Sequence, residues 1–88
     1  MSEQNTSSSA GDVRTLLEQV AKALVDAPEE VFVNQVEEDG ETVLELEVAE
    51  RELGKVIGKH GRTAKAMRAL LHVAGLKHHK RYALEILE

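Results

Sequence analysis

Between residues 31 and 49 the chain holds two runs of alternating apolar and polar residues hinged on Asp39 and Gly40, and no other stretch constrains the fold as strongly. Val31 to Glu37 and Glu41 to Ala49 are rich in β-branched residues and leucine, as strands are. Asp-Gly suits a type I′ turn, whose two central residues both need positive φ. With the turn placed there, Val31, Val33, Leu44, Leu46 and Val48 share one face of a hairpin, and Phe32, Asn34, Glu45 and Glu47 share the other. A hairpin that is apolar on one face must be covered there by another part of the chain.

The rest of the sequence supplies that cover. Asp12 is a good N-cap for a helix on which Val13, Leu16, Leu17, Val20, Ala21 and Leu24 recur at three- and four-residue spacing, and Pro28 sets its end near Asp26. A short helix is predicted over Glu50 to Val56, with Leu53, Val56 and Ile57 on one face and a break at Gly58. A longer one follows from about Arg62 to Gly75. Thr63, Met67, Leu70, Leu71 and Ala74 form its apolar stripe, while Arg62, Lys65, Arg68 and His72 line the opposite side. Met67 reads as core filler. Gly75 suits the position after the helix end, and Lys77, His78 and His79 follow where positive charge is favourable. Arg81 to Leu87 alternates again, with Tyr82, Leu84 and Ile86 on one side, so it is predicted to be a third strand. The expected fold is α+β, a three-stranded sheet with three helices packed on one face. It occupies residues 12–88 as one domain behind a disordered polar tail, residues 1–11.

Size and composition limit the function. A chain of 88 residues makes one small domain without room for a large enclosed active site. It has no cysteine, hence no disulfide, thiolate metal site or cysteine nucleophile, which fits a reducing compartment. The polar N-terminus lacks the hydrophobic stretch of a signal peptide, and no apolar run approaches the roughly 18 residues of a membrane span. The expectation is a soluble, cytoplasmic protein.

The net charge of −5 conceals a dipolar molecule. Residues 1–50 carry −11 and residues 51–88 carry +6, and from Gly54 to Arg81 there are eight Lys or Arg and no acid. Charge of this kind speaks to partners rather than to fold. The basic window contains Ile57, Gly58, Lys59, His60 and Gly61. Two glycines three apart let the backbone turn tightly and let a ligand approach closely, because neither carries a Cβ. Lys59 and His60 lie between them. A helix beginning after Gly61 would aim its free N–H groups and positive dipole end into the same space.

Other chemistries fit poorly. Gly54 and Gly58 are one residue too close for a P-loop, and His60 stands where its Ser or Thr should be. The GxGxxG dinucleotide fingerprint is absent. His72, His78 and His79 include no helical pair at i, i+4 and have no thiolate beside them, so they read as surface residues rather than metal ligands. Most serines lie in the tail, which leaves no nucleophile–base set. No catalysis, cofactor or metal is expected.

The order of elements, together with Val56, Ile57, Gly58, Lys59, His60, Gly61, Arg62 and Thr63, resembles the KH family of RNA-binding domains, in which a GXXG loop joins two helices. The likeness covers residues 12–88, and the helix ahead of the first two strands corresponds to the type II arrangement, α-β-β-α-α-β. The resemblance implies binding of single-stranded RNA, with the loop clamping the backbone of about four nucleotides. It implies roles for Gly58 and Gly61 in admitting the strand and for Lys59 and His60 in reaching phosphates. Arg62, Lys65 and Arg68, with Lys55, would extend the positive rim, and Val56 and Ile57 would offer an apolar groove to the bases. It also implies a homodimer or a partner KH protein, and a role as an RNA chaperone or post-transcriptional regulator. Phe32 and Tyr82 are the only aromatic residues, so stacking on aromatic rings is not the main source of affinity. Two alternatives stay open on the sequence: a KH-like module that dimerises or docks a protein, and a binder of single-stranded DNA.

Overall fold

Asp39 and Gly40 both take positive φ, 50° and 78°, and their two-residue turn sets Glu38 opposite Glu41. The computed structural model describes residues 9–88, so residues 1–8 of the expected tail lie outside the described residues. The turn joins antiparallel strands β1 (Phe32–Glu38) and β2 (Glu41–Glu47), with Val33 facing Leu46 and Gln35 facing Leu44. Val31, Val33, Leu44, Leu46 and Val48 are all buried, as the alternation predicts, whereas Phe32 on the outer face is 58% exposed.

Strand β3 (Tyr82–Ile86) pairs with the other side of β2 in parallel, Leu84 against Leu44, giving the order β1-β2-β3. Parallel neighbours cannot be joined by a tight turn and require a crossover. Here the crossover is the pair α2 (Leu53–Ile57) and α3 (Arg62–His78), which with α1 (Ser9–Leu24) covers the inner face of the sheet. The result is the expected three-helix, three-strand α+β arrangement.

Three details of the helices differ from expectation. Helix α1 begins at Ser9 and ends at Leu24, so Ser9, Ala10 and Gly11 belong to it and Asp12 lies inside it rather than capping it. The apolar stripe of α1 is also wider than the sheet can cover. Val13, Leu17 and Ala21 are buried, while Leu16 remains 50% exposed.

The third difference concerns α3. It runs through Gly75 to His78, and His79 takes the left-handed conformation (φ 57°, ψ 41°). The N–H groups of His79 and Lys80 both bond the Gly75 carbonyl, the latter at 2.9 Å, so the helix closes in a Schellman-like motif with histidine in the glycine position. Gly75 is needed for another reason: a Cβ there would overlap the carbonyl oxygen of Lys80 and meet the Tyr82 ring at 3.5 Å. The chain leaving the helix folds back over that position. The inward face of α3 is Ala64, Met67, Leu71 and Gly75. Met67 fills the core as expected, but Leu70 is 52% exposed, because it points beside α1 rather than onto the sheet.

Candidate nucleic-acid interface

The turn between α2 and α3 has an unusual backbone. Gly58 sits at φ 79°, ψ 167°, a region open in practice only to glycine, while His60 (φ 58°, ψ 23°) and Gly61 (φ 73°, ψ 15°) are left-handed. The N–H of Gly58 bonds the Gly54 carbonyl at 2.8 Å, ending α2, and the N–H of Gly61 bonds the Gly58 carbonyl at 3.0 Å, closing the turn. The two glycines differ in what they permit. A Cβ on Gly58 would lie 2.7 Å from that of Thr63 and closer still to its hydroxyl, whereas a Cβ on Gly61 would meet nothing within 4 Å. Gly58 lets α3 start close behind the loop, and Gly61 lets something outside the chain come close to it.

Helix α3 opens directly from this turn. Its first turn carries no acid and no side chain caps it, so its N-terminal N–H groups and positive dipole end face the loop without a resident anion. Lys59 and His60 are exposed at the tip, and Arg62, Lys65 and Arg68 are exposed along the first half of the helix. Among the described residues, ion pairs engage Lys22, Arg51 and Lys55 but no cation from Lys59 to Arg81.

Beside the loop an open groove runs between α3 and the edge strand β3. Ile57, Gly61, Ala64, Lys65 and Arg68 form the helix side, and Leu84, Glu85, Ile86 and Glu88 form the strand side. Its floor is apolar, the helix wall is cationic and the strand wall carries the two carboxylates.

Two residues assigned to this surface from sequence lie elsewhere. Val56 is completely buried and belongs to the core, so it offers no face to a base; Ile57, half-buried, does line the groove. Lys55 is held away from the rim by carboxylates. Its ammonium pairs with Asp26 and, at 3.3 Å, with Glu52.

Glu52 is the residue that sequence reading missed. It is 2% exposed and accepts the backbone N–H groups of Asp26 and Ala27, the latter at 3.0 Å, fastening the corner after α1 to the start of α2. The Asp26 N–H is the main cause holding its pKa below the ordinary carboxylate value, against the opposing effect of burial, with Ala27 and Lys55 adding to the depression. Asp26 is lowered chiefly by its hydrogen bond from Lys55, and Lys55 is raised chiefly by the same bond. The only trace in the sequence is an acid three residues before a lysine, a pattern too common to distinguish it.

A three-stranded mixed sheet, three helices on one face and a GXXG turn at the α2–α3 junction define a type II KH domain. The chain belongs to the family described as KhpA/KhpB, KH domain, whose model matches residues 14–86. It is 48% identical over 75 residues to the RNA-binding protein KhpA of Clostridium acetobutylicum, covering 85% of this chain and all of that one. It is 48% identical over 73 residues to the RNA-binding protein KhpA of Treponema pallidum (83% and 91% of the two chains), and 47% identical over 76 residues to that of Aquifex aeolicus (86% and 96%). Among solved structures, an Era variant from Aquifex aeolicus bound to GDP·AlF4− superposes with a TM-score of 0.58 at 21% identity, over 84% of this chain and 29% of that chain, a likeness of fold.

Proposed function

We propose that this protein binds single-stranded RNA, gripping the backbone at the Gly58–Gly61 turn and laying the bases along the groove between α3 and β3. The observation that carries the reading is the coincidence at one point of a close-approach glycine, an uncapped helix N-terminus and unpaired cations. The helix end and the cations attract phosphate, and the glycine leaves room for it. The names of the relatives point the same way. Gly61 admits the strand, Gly58 holds the loop close against Thr63, Lys59 and His60 hold phosphates, Arg62, Lys65 and Arg68 continue the rim, and Ile57 contacts a base. This is binding without chemistry, and the protein acts as an RNA chaperone or post-transcriptional regulator in the cytoplasm. Replacing both Lys59 and His60 with Asp should weaken RNA binding by about a hundred-fold, two lost charge-assisted contacts, while leaving the helical circular dichroism intact. Undiminished binding would sink the loop assignment. Competition with DNA of the same sequence tests for the 2′-hydroxyl, and equal competition would favour a general single-strand binder.

A single domain that grips few nucleotides gains from pairing, because a second domain raises the effective concentration of the first. The apolar flank of α1 and α3 supports such pairing. Leu16, Leu70 and Val73 are 50%, 52% and 62% exposed, and Leu16 and Leu70 border one shallow apolar groove. This flank serves a homodimer or a partner KH protein of the KhpB type, and it leaves the RNA groove open.

A further inference from the structure

The cationic side of α3 does not stop at the groove beside the loop. Lys65, Arg68, His72 and Leu76 recur at three- and four-residue spacing, so they form one exposed stripe along a helix about 25 Å long at 1.5 Å per residue. Because β3 runs back along α3, the start of the strand lies beside the end of the helix. There a second groove opens, lined by Glu41, His72, Leu76, Lys80, Arg81 and Tyr82.

This second groove repeats the make-up of the first. Leu76 is 66% exposed, an apolar side chain that shares the groove with Lys80 and Arg81 and adds nothing to the core. Lys80 and Arg81 are exposed and form no ion pair among the described residues. Their backbone is fixed at both ends. The Lys80 N–H bonds the Gly75 carbonyl at 2.9 Å, with the Lys80 carbonyl seated over Gly75, and the Arg81 carbonyl accepts the Thr42 N–H at 2.8 Å. Two cations on a rigid backbone lose less freedom on meeting a ligand than two on a loose tail. Glu41 is the one carboxylate in the lining, and it suits an amino group on a base edge rather than a phosphate.

We propose that this groove is a second nucleotide subsite, which takes the RNA strand onward from the four nucleotides held at the Gly58–Gly61 turn. Leu76 packs against a base, and Lys80 and Arg81 bind the phosphates on either side of it. The assignment rests on the RNA-binding reading above. It lengthens the footprint along α3 and makes affinity depend on strand length.

The test compares a tetranucleotide and an octanucleotide of RNA, drawn from one sequence, by fluorescence anisotropy. The full chain and the K80A/R81A double variant are measured at several salt concentrations. For the octanucleotide the variant should bind about ten-fold more weakly and lose about 1.4 from its log–log salt slope, two phosphates at roughly 0.7 each; its affinity for the tetranucleotide should not change. The greater number of registers available on a longer strand favours both proteins equally, so it cannot produce this difference. L76A, a change at an exposed helical position, should also weaken only the octanucleotide. K77A, which removes a charge on the other flank of α3, should affect both lengths equally and slightly. Equal losses at both lengths by K80A/R81A, or no loss at either, would overturn the second subsite while leaving the loop reading in place. Failure of the unaltered protein to bind either oligonucleotide would overturn both.

Discussion

The buried carboxylate of Glu52 accepts the backbone N–H of Ala27 at 3.0 Å, tying the chain just after α1 to the turn that launches α2. It also accepts the Asp26 N–H, and the Lys55 ammonium spans Glu52 and Asp26. Three charges and two backbone donors thus meet at one corner. Replacing Glu52 with Ala leaves those donors without their acceptor, so thermal unfolding should shift down by several degrees. Glu52→Gln keeps one acceptor oxygen and should lie between. Arg51→Ala, which removes a surface pair with Glu30, should barely move the midpoint.

The same corner sets a pH dependence. Asp26 and Glu52 are depressed below their ordinary values of 3.8 and 4.5, so each contributes stability that is complete above those values and is lost as pH falls through its lower folded pKa. Lys55 is raised above 10.5, so its contribution is complete below that value and is lost as pH rises through the higher folded pKa. The unfolding midpoint should therefore hold level across neutral pH and fall at both extremes. In E52Q the acid fall should be shallower. An acid limb unchanged in E52Q would show that the corner does not govern it.

The two loop glycines should separate cleanly. Gly61→Ala places a Cβ in open space and should cost only left-handed strain, about 1–2 kcal/mol by urea unfolding. Gly58→Ala adds a collision with Thr63 to a backbone region that alanine avoids, and should cost more than about 2 kcal/mol. Equal costs would mean that the contact between the loop and Thr63 is relaxed in solution.

Tyr82 carries a buried hydroxyl with no hydrogen-bond partner among the described residues. A buried polar group in that condition costs about 1–3 kcal/mol, so Tyr82→Phe should stabilise the domain by about 1 kcal/mol. Loss of stability instead would mean that the hydroxyl is satisfied by bound water.

The exposed flank gives the prediction for assembly. L70E/V73E should lower the apparent mass in sedimentation while leaving the helical circular dichroism of the folded domain unchanged, because neither side chain is part of the core. Its binding to short RNA should persist, since the stripe of Lys65, Arg68 and His72 lies on the other flank of α3. An unchanged mass would remove the α1–α3 flank as the pairing surface.

How much of this was legible in the sequence varies with the range of the interaction. The hairpin was readable because its register depends on one dipeptide and on alternation, both local. The GXXG turn was readable for the same reason. The exposure of Leu70 and burial of Val56 were not, because periodicity gives the width of an apolar stripe but not which part of it a neighbour covers. Gly75 was misread because two different demands select glycine: a helix end with positive φ, and a backbone passing overhead. The commitments of Glu52 and Lys55 depend on Asp26 and Ala27, far along the chain, and spacing carries no sign of such partners.

The parallel pairing of β2 with β3 has a kinetic consequence. The strand that closes the sheet also forms one wall of the groove, so the groove does not exist until the last strand has docked. On the proposed binding mode, an RNA strand bridging α3 and β3 would hold β3 against β2. The amide hydrogen of Leu87, which bonds the Leu46 carbonyl at 2.9 Å, should exchange with solvent more slowly when RNA is present. Such slowing would mark β3 as a latch that bound RNA fastens.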